Sequence, residues 1–414
     1  MKNLSLYIHI PFCVKKCNYC DFLSAPCNES IRQKYVEVLY EEIQQRAQGF
    51  QGRKVDTIFF GGGTPSLLSG EQISKIMSVI REKFQVLEDA EITLEMNPGT
   101  VDREKLECYK NIGINRLSIG LQSAANDELK VLGRIHTWET FLETWKMVRK
   151  VGFENVNIDL MSALPGQTLE SYEETLRKVL ELKPEHISAY SLIIEEGTLF
   201  YDWYGEDERQ EENKTEESQK AGIYDEDLIR EARKRKLPDE ITDRKMYELT
   251  KKLLEENGYY RYEISNYSLK GYECKHNVGY WKRKEYLGLG LGAASLFSET
   301  RSSNISDLNR YLEQTKEEVK EGHDSKNVWI EEETKLSREE QMEEFMFLGL
   351  RMMEGISPTE FEIQFGTSLQ QVYGEQITRL EKQGLLAYNE ESKRYALTTQ
   401  GIDVSNQVFV EFIN

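Results

Sequence analysis

Along the first 192 residues, short apolar runs alternate with longer amphipathic stretches. The apolar runs, rich in Ile, Leu, Val and Phe, predict strands over 4–10, 55–60, 91–96, 115–119, 156–161 and 186–192. Apolar residues at helical spacing predict helices over 31–46, 71–84, 138–151 and 171–182. Six such strand-helix units fold as a parallel sheet wrapped by helices, a partial (β/α)6 barrel of the TIM type that stops two units short of closure. Ligands of such barrels bind at the loops leaving the C-terminal ends of the strands. Here those loops are Gly61-Gly-Gly-Thr-Pro-Ser66, Asn97-Pro-Gly99, Gly120-Leu-Gln-Ser123 and Leu164-Pro-Gly-Gln-Thr168, all polar or glycine-rich.

The pattern changes after Thr198. Residues 206–240 are dominated by Glu, Asp, Lys and Arg with almost no large apolar side chains, which predicts a solvated helix, insertion or linker. Globular character returns with a helical run at 243–256, a β-like run at 259–265 and the glycine-rich run 287–292, expected to cover the open side of the barrel. From 338 the periodicity is helical again, over 339–353 and 369–383. Between these runs, Ser357, Pro358 and Glu360 read as an N-cap, a first-turn proline and a capping-box partner. Gly384, β-like runs at 385–388 and 394–397, and a final helical stretch from Thr399 complete a small winged-helix-like α+β unit. The expected organisation is a partial barrel at 1–205, a charged segment at 206–240, a cover and connection at 241–330, and the winged-helix-like domain at 331–414.

Composition narrows the function classes. The 414 residues carry 53 basic and 72 acidic side chains, a formal charge of −19, which disfavours general nucleic-acid binding. The C-terminal helices have mixed rather than basic faces, so docking against the barrel or a protein partner is the expected role of that unit. Six cysteines are too few for a disulfide scaffold in a chain this long, and a reducing, cytoplasmic setting fits them. No stretch is apolar enough to span a bilayer, which still leaves room for peripheral membrane contact.

Half of those cysteines lie in one loop, as Cys13, Cys17 and Cys20 with Cys-x3-Cys-x2-Cys spacing. Three thiolates that close can hold three irons of a [4Fe-4S] cluster, and with no fourth ligand at comparable spacing one iron stays open to a small molecule. The competing reading is a zinc knot or free thiols; zinc usually takes a fourth protein ligand, and none stands nearby. The triple glycine lacks the Lys-Ser/Thr ending of a phosphate-binding loop.

The cysteine loop resembles that of the radical S-adenosylmethionine (SAM) superfamily. The runs Tyr7-Ile-His-Ile-Pro-Phe-Cys13, Gly61 to Ser66, Glu95-Met-Asn-Pro98, Asn115 to Ser123, Leu132-Gly-Arg-Ile-His136 and Asn157-Ile-Asp-Leu-Met161 are similar to its coproporphyrinogen dehydrogenase-like branch. That resemblance implies a cluster on Cys13, Cys17 and Cys20, and a SAM site lined by Tyr7, Tyr19, Gly62, Gly63, Thr64, Glu95, Gln122, Arg134 and Asp159. The residue types suit the task. Glu95 and Asp159 can accept from ribose hydroxyls, Arg134 can pair with the methionyl carboxylate, and Gln122 can donate and accept.

Two features separate functions within the branch. In the oxygen-independent coproporphyrinogen dehydrogenases the resemblance implies a further cysteine two places after the third, where this chain has Phe22. The run His276-Asn277-Val-Gly-Tyr280-Trp281 resembles the His-Asn-x-x-Tyr-Trp signature of the HemW heme chaperones. By that resemblance His276 ligates heme iron and Asn277, Tyr280 and Trp281 shape the pocket, with Cys274 as a competing ligand. Lys282, Arg283 and Lys284 are expected to neutralise heme propionates. The function implied is heme binding and delivery to acceptors such as respiratory-chain proteins. The alternatives are oxidative decarboxylation of coproporphyrinogen III and radical chemistry on an unrelated substrate.

Overall fold

In the computed structural model, which describes residues 3–205, 234–314 and 328–413, the six expected strands form the centre of one sheet. They are β1 (Leu4–Ile10), β2 (Lys54–Gly62), β3 (Gln85–Met96), β4 (Arg116–Gln122), β5 (Val156–Ser162) and β6 (His186–Ser191), each parallel to the next. Helices α1 (Glu29–Arg46), α2 (Gly70–Lys83), α3 (Arg103–Asn111), α4 (Asn126–Val131), α5 (Trp138–Val151) and α6 (Leu169–Leu182) connect them. The sequence pattern marked neither α3 nor α4. Both are short, and α3 offers only Leu106 and Tyr109 to the core. Ser69, Asp102, Thr137 and Thr168 cap α2, α3, α5 and α6 by accepting a backbone N–H three residues on.

Past helix α7 (Leu199–Tyr204), most of the charged segment expected at 206–240 lies outside the described residues. The chain then follows helix α8 (Glu240–Glu256) and extends the sheet at both edges. Of the expected run 259–265 only β7 (Tyr260–Arg261) is strand; it pairs antiparallel with β8 (Asn266–Ser268), which lies beside β6, and the buried Glu263 between them receives Ser265 and Asn266. Helix α9 (Lys275–Trp281) follows, and β9 (Tyr286–Leu289) pairs with β1 as a seventh parallel strand. Strands β10 (Ala294–Phe297), β11 (Thr300–Asn304) and β12 (Ile330–Lys335) continue antiparallel outward, with α10 (Leu308–Glu313) between the last two.

Among the described residues the sheet order is β12-β11-β10-β9-β1-β2-β3-β4-β5-β6-β8-β7, twelve strands. A buried polar network ties α1 to the turn after β9: Glu42 accepts from Gly290 N (2.8 Å), Asn304 Nδ2 (2.6 Å) and Tyr311 (2.6 Å).

The C-terminal unit has its own apolar cluster, built from Met346, Leu350, Phe361, Phe365, Tyr373, Ile377 and Val408 among others. It contains α11 (Arg338–Gly349), α12 (Pro358–Phe365), α13 (Leu369–Lys382), the hairpin β13 (Leu386–Asn389) with β14 (Arg394–Leu397), and α14 (Thr399–Asp403) and α15 (Ser405–Val410). Helices α11, α12 and α13 followed by the hairpin bear out the winged-helix-like expectation, with α14 and α15 added after it. Ser357 caps α12 as expected, but Glu360 does not close a capping box; its carboxylate is drawn instead to Arg394 on the hairpin, 2.9 Å away. Among the described residues no helix is long and apolar enough to cross a membrane.

Candidate functional site

The cysteine loop leaves β1 at the rim of the barrel. Phe12–Cys13 pairs in parallel with Ala25–Pro26, which pins both ends of the loop. Its middle is held by Asn18, buried, with its amide 2.8 Å from Val131 O and its backbone N–H on Leu132 O. Cys13, Cys17 and Cys20 are half-buried free thiols. Thr64 Oγ1 lies 3.8 Å from Cys13 Sγ, and Arg134 Nη1 lies 3.6 Å from Cys17 Sγ. Burial pushes the Cys20 thiol up to about 11, helped by Cys17 and Cys13. Among the described residues no group of three or more His, Cys, Asp or Glu side chains is gathered so as to hold a metal ion.

The glycine turn meets this loop directly. A methyl group on Gly63 would stand 2.6 Å from Phe12 O and 3.0 Å from Cys13 Sγ, so only glycine fits. Gly62 adopts φ +112°, and its N–H donates to Glu95 Oε2 at 3.1 Å. Below it, the Tyr7 hydroxyl lies 3.0 Å from His9 Nδ1, and His9 Nε2 lies 2.9 Å from Leu23 O. A carbonyl can only accept, so His9 carries its proton on Nε2 and Tyr7 donates to Nδ1.

Across the mouth the strand register aligns Glu95 with Ser118, and Gly120 with Asp159 and Ser188. Burial, then the nearby Asp159, pushes the Glu95 carboxyl up to about 8. Burial likewise raises Asp159, against hydrogen bonds from Asn157 (2.8 Å) and Ser118 (3.2 Å). The Arg134 guanidinium donates to Asn97 Oδ1 and Gly120 O, both at 2.6 Å, while its Nε is buried without a partner. Asn97 completes the row by donating to Thr64 Oγ1 at 2.9 Å. Tyr19, packed beside Phe200, lies within electrostatic reach of Cys17, Arg134 and Asp159.

The nine residues expected to line a SAM site therefore stand around one mouth beside the three cysteines. Tyr190, at the end of β6, also belongs there: its hydroxyl donates to Gln122 Oε1 at 3.3 Å, and it feels Asp159, Tyr19 and Arg134. Nothing in the sequence separates Tyr190 from the core tyrosines, whereas Asn97 lies within the Glu95-Met-Asn-Pro98 run that carries the family resemblance.

The run from Cys274 folds as helix α9, docked against β2. Cys274, at the N-cap, makes no side-chain cap, and Glu91 on β3 supplies one, accepting from Lys275 N and His276 N at 3.1 Å each. The Cys274 thiol is fully buried 3.7 Å from the same carboxylate, and burial pushes it up to about 12. His276 points into the barrel wall, stacked on Phe59 at 5.0 Å and 6.4 Å from Tyr7. Burial, then Lys284 and Arg116, lowers it to about 3, so the imidazole is neutral. Asn277 is half-buried in the same turn.

Trp281 leaves this group: its ring lies under Arg351 at 4.4 Å and lines a cavity of about 800 Å3 with Phe345, Met352 and Ile356 of the C-terminal unit. The basic side chains expected to neutralise heme propionates are each paired with a carboxylate. Lys282 pairs with Glu354 (2.7 Å), Arg283 with Glu344 (2.7 Å) and Glu299 (2.8 Å), and Lys284 with Asp56. In so acidic a chain, each cation has already found a carboxylate.

Comparison with known proteins agrees with this architecture. Residues 7–179 match the radical SAM superfamily and residues 336–404 match the HemN C-terminal domain. The heme chaperone HemW of Lactococcus lactis is 37% identical over 412 residues, covering 100% of this chain and 98% of the relative. HemW of Bacillus subtilis is 35% identical and covers 99% of both. Coproporphyrinogen III oxidase (HemN) from Escherichia coli, described as a radical SAM enzyme, superimposes with a TM-score of 0.77 at 24% identity, covering 99% of this chain and 90% of that one. The chain therefore belongs to the HemW-type branch of the radical SAM, oxygen-independent coproporphyrinogen III oxidase-like family.

Proposed function

We infer that this protein is a cytoplasmic heme chaperone, which binds heme and passes it to acceptor proteins such as those of the respiratory chain. One observation carries the reading: helix α9 sets the neutral imidazole of His276 beside Tyr7 and Phe59 on the wall of the same barrel whose mouth gathers the cysteine loop. Names of relatives that match over the full length support it. Phe22, 63% exposed where a decarboxylase of this branch is expected to have a further cysteine, disfavours the enzymatic alternative.

The resident groups in this reading are a [4Fe-4S] cluster and SAM. Three observations support them: Cys13, Cys17 and Cys20 are half-buried free thiols on one rim loop, a glycine turn abuts the Cys13 sulfur, and Arg134 keeps a buried Nε–H without a partner; the three thiols, not gathered into a metal site as they stand, would close around the cluster as it binds. When bound, such a cluster supplies electrons to the sulfonium of SAM. Cys13, Cys17 and Cys20 would hold the cluster, with SAM bound beside it. Gly62, Gly63 and Thr64 let the backbone approach its methionyl end, and Arg134 pairs with the carboxylate. Glu95, Asp159 and Gln122 orient the ribose while Tyr7 and Tyr19 wall off water. His276 would ligate heme iron, with Asn277 and Tyr280 on the same helix shaping its surroundings. Trp281 faces the C-terminal unit, which is the surface offered to an acceptor. The proposed parts are a barrel at 1–205, a linker at 206–240, a connection at 241–330 whose strands extend the sheet of the barrel, and a winged-helix-like unit at 331–414.

Titration of the purified protein with hemin, followed by Soret absorbance, tests the reading. Saturable one-to-one binding that weakens in His276→Ala is expected. Conversion of coproporphyrinogen III to protoporphyrinogen IX by the cluster-loaded protein would replace it with the enzymatic alternative.

A further inference from the structure

His276 is 1% exposed, and both ring nitrogens are engaged. Nδ1 lies 2.9 Å from Thr57 Oγ1 on β2, and Nε2 lies 3.0 Å from the hydroxyl of Tyr280, one turn along α9. A neutral imidazole carries one N–H and one lone pair. A phenol is a better donor and a poorer acceptor than an alkyl hydroxyl, so Tyr280 donates to the Nε2 lone pair, and Nδ1–H is directed at Thr57. The ring is clamped as well. Phe59 stacks on one face, and Tyr280 meets it edge-on at 4.8 Å and 85° while packing against Tyr286 at 4.6 Å.

We propose that Tyr280 is a latch on His276: its hydroxyl occupies the lone pair through which the imidazole binds iron, and Thr57 is the positioning residue that keeps this lone pair on Nε2. The proposal rests on the reading of His276 as the axial donor. As heme arrives, the O–H···Nε2 hydrogen bond breaks, the Nε2 lone pair is donated to iron, and the phenol keeps its proton and turns to water. No proton or electron is exchanged with solvent. When heme leaves, Tyr280 recaps the imidazole, so the empty site is a satisfied one and release leaves no orphaned acceptor. The sequence spacing contains this device: positions 276 and 280 are i and i+4 on one helix face.

Hemin titration of the full-length protein tests it, reading the Kd and the Soret and visible bands that report imidazole ligation. Tyr280→Phe keeps the ring packing and frees Nε2; it is expected to bind about two- to tenfold tighter, the range of one neutral hydrogen bond, with the imidazole bands unchanged. Thr57→Val, nearly isosteric, is expected to bind more weakly with altered bands, and Thr57→Ser to restore both. If Tyr280→Phe binds no tighter than wild type while His276→Ala loses the imidazole bands, the latch is wrong and the ligand assignment stands. If His276→Ala changes neither affinity nor spectrum, the ligand assignment fails and the latch falls with it. Thr57→Val with wild-type Kd and bands would overturn the positioning role even if Tyr280→Phe did not fold.

Discussion

The carboxylate of Glu91 accepts the backbone N–H of His276 at 3.1 Å, so the first turn of α9 is capped from a neighbouring strand and not by its own sequence. Glu91→Ala removes two acceptors from the helix N-terminus and leaves two N–H groups unsatisfied. A loss of about 1–3 kcal/mol in urea-denaturation stability is expected, together with weaker heme binding as α9 loosens. Unchanged stability would show that water replaces the cap.

Gly63→Ala places a methyl group against the backbone of Phe12 and the sulfur of Cys13, neither of which can give way cheaply. After anaerobic reconstitution, iron and sulfide content should fall toward that of Cys17→Ser, while far-UV circular dichroism stays near wild type. Full cluster loading in Gly63→Ala would refute the close packing of turn and loop.

Glu95 gives a pH signature. Its folded carboxyl is raised to about 8, whereas an unfolded one titrates near 4.3. Between those values the folded state holds a proton that the unfolded state releases. The contribution is therefore fully present below about pH 4 and is lost as pH rises through about 8. Because the side chain retains some solvent contact, the difference is on the order of 2–4 kcal/mol. Urea denaturation of cofactor-free Glu95→Gln at pH 5 and pH 8 should show a flatter decline than wild type. Parallel slopes would mean that Glu95 is ionised at neutral pH.

The basic run after Trp281 should matter for stability and not for heme. The Arg283 side chain is only 4% exposed and bridges Glu344 and Glu299. Arg283→Met is expected to cost about 1–2 kcal/mol, because Glu344 loses one of its two arginine partners and keeps Arg301, whereas Lys282→Ala should be neutral within about 0.5 kcal/mol. Hemin affinity of folded Lys282→Ala should equal that of wild type. A marked loss would revive a role in binding propionates.

The strands at 55–60 and 156–161 were legible because short runs rich in Val, Ile, Phe and Leu, each followed closely by a glycine-rich or polar turn, read most simply as strands. Glu95, Asp159 and Arg134 were expected at the mouth through the family resemblance; Glu95 and Asp159 lie within β3 and β5, and Arg134 follows α4. Helices α3 and α4 were not legible, being too short to show a period. Nor was the parallel pairing of β9 with β1, since Tyr286–Leu289 is a glycine-interrupted run of four and pairing partners leave no local mark. Thr57, Glu91 and Tyr190 escaped for a related reason: each acts through a side chain distant in sequence. Glu360 shows the converse, a local signal overridden because Arg394 offers a stronger partner than the N–H of Ser357.

The seventh parallel strand sets the timetable for folding. Ser5 lies opposite Tyr286 and Ile8 opposite Leu289, with Leu6, Ile8, Leu287 and Leu289 fully enclosed. On the ribosome, the opening strand emerges roughly 280 residues before this neighbour, a delay on the order of 15–60 s at typical synthesis rates. Throughout that interval one flank of β1 is bare, which makes the nascent chain a natural client for folding helpers and makes a fragment ending at residue 205 prone to clump.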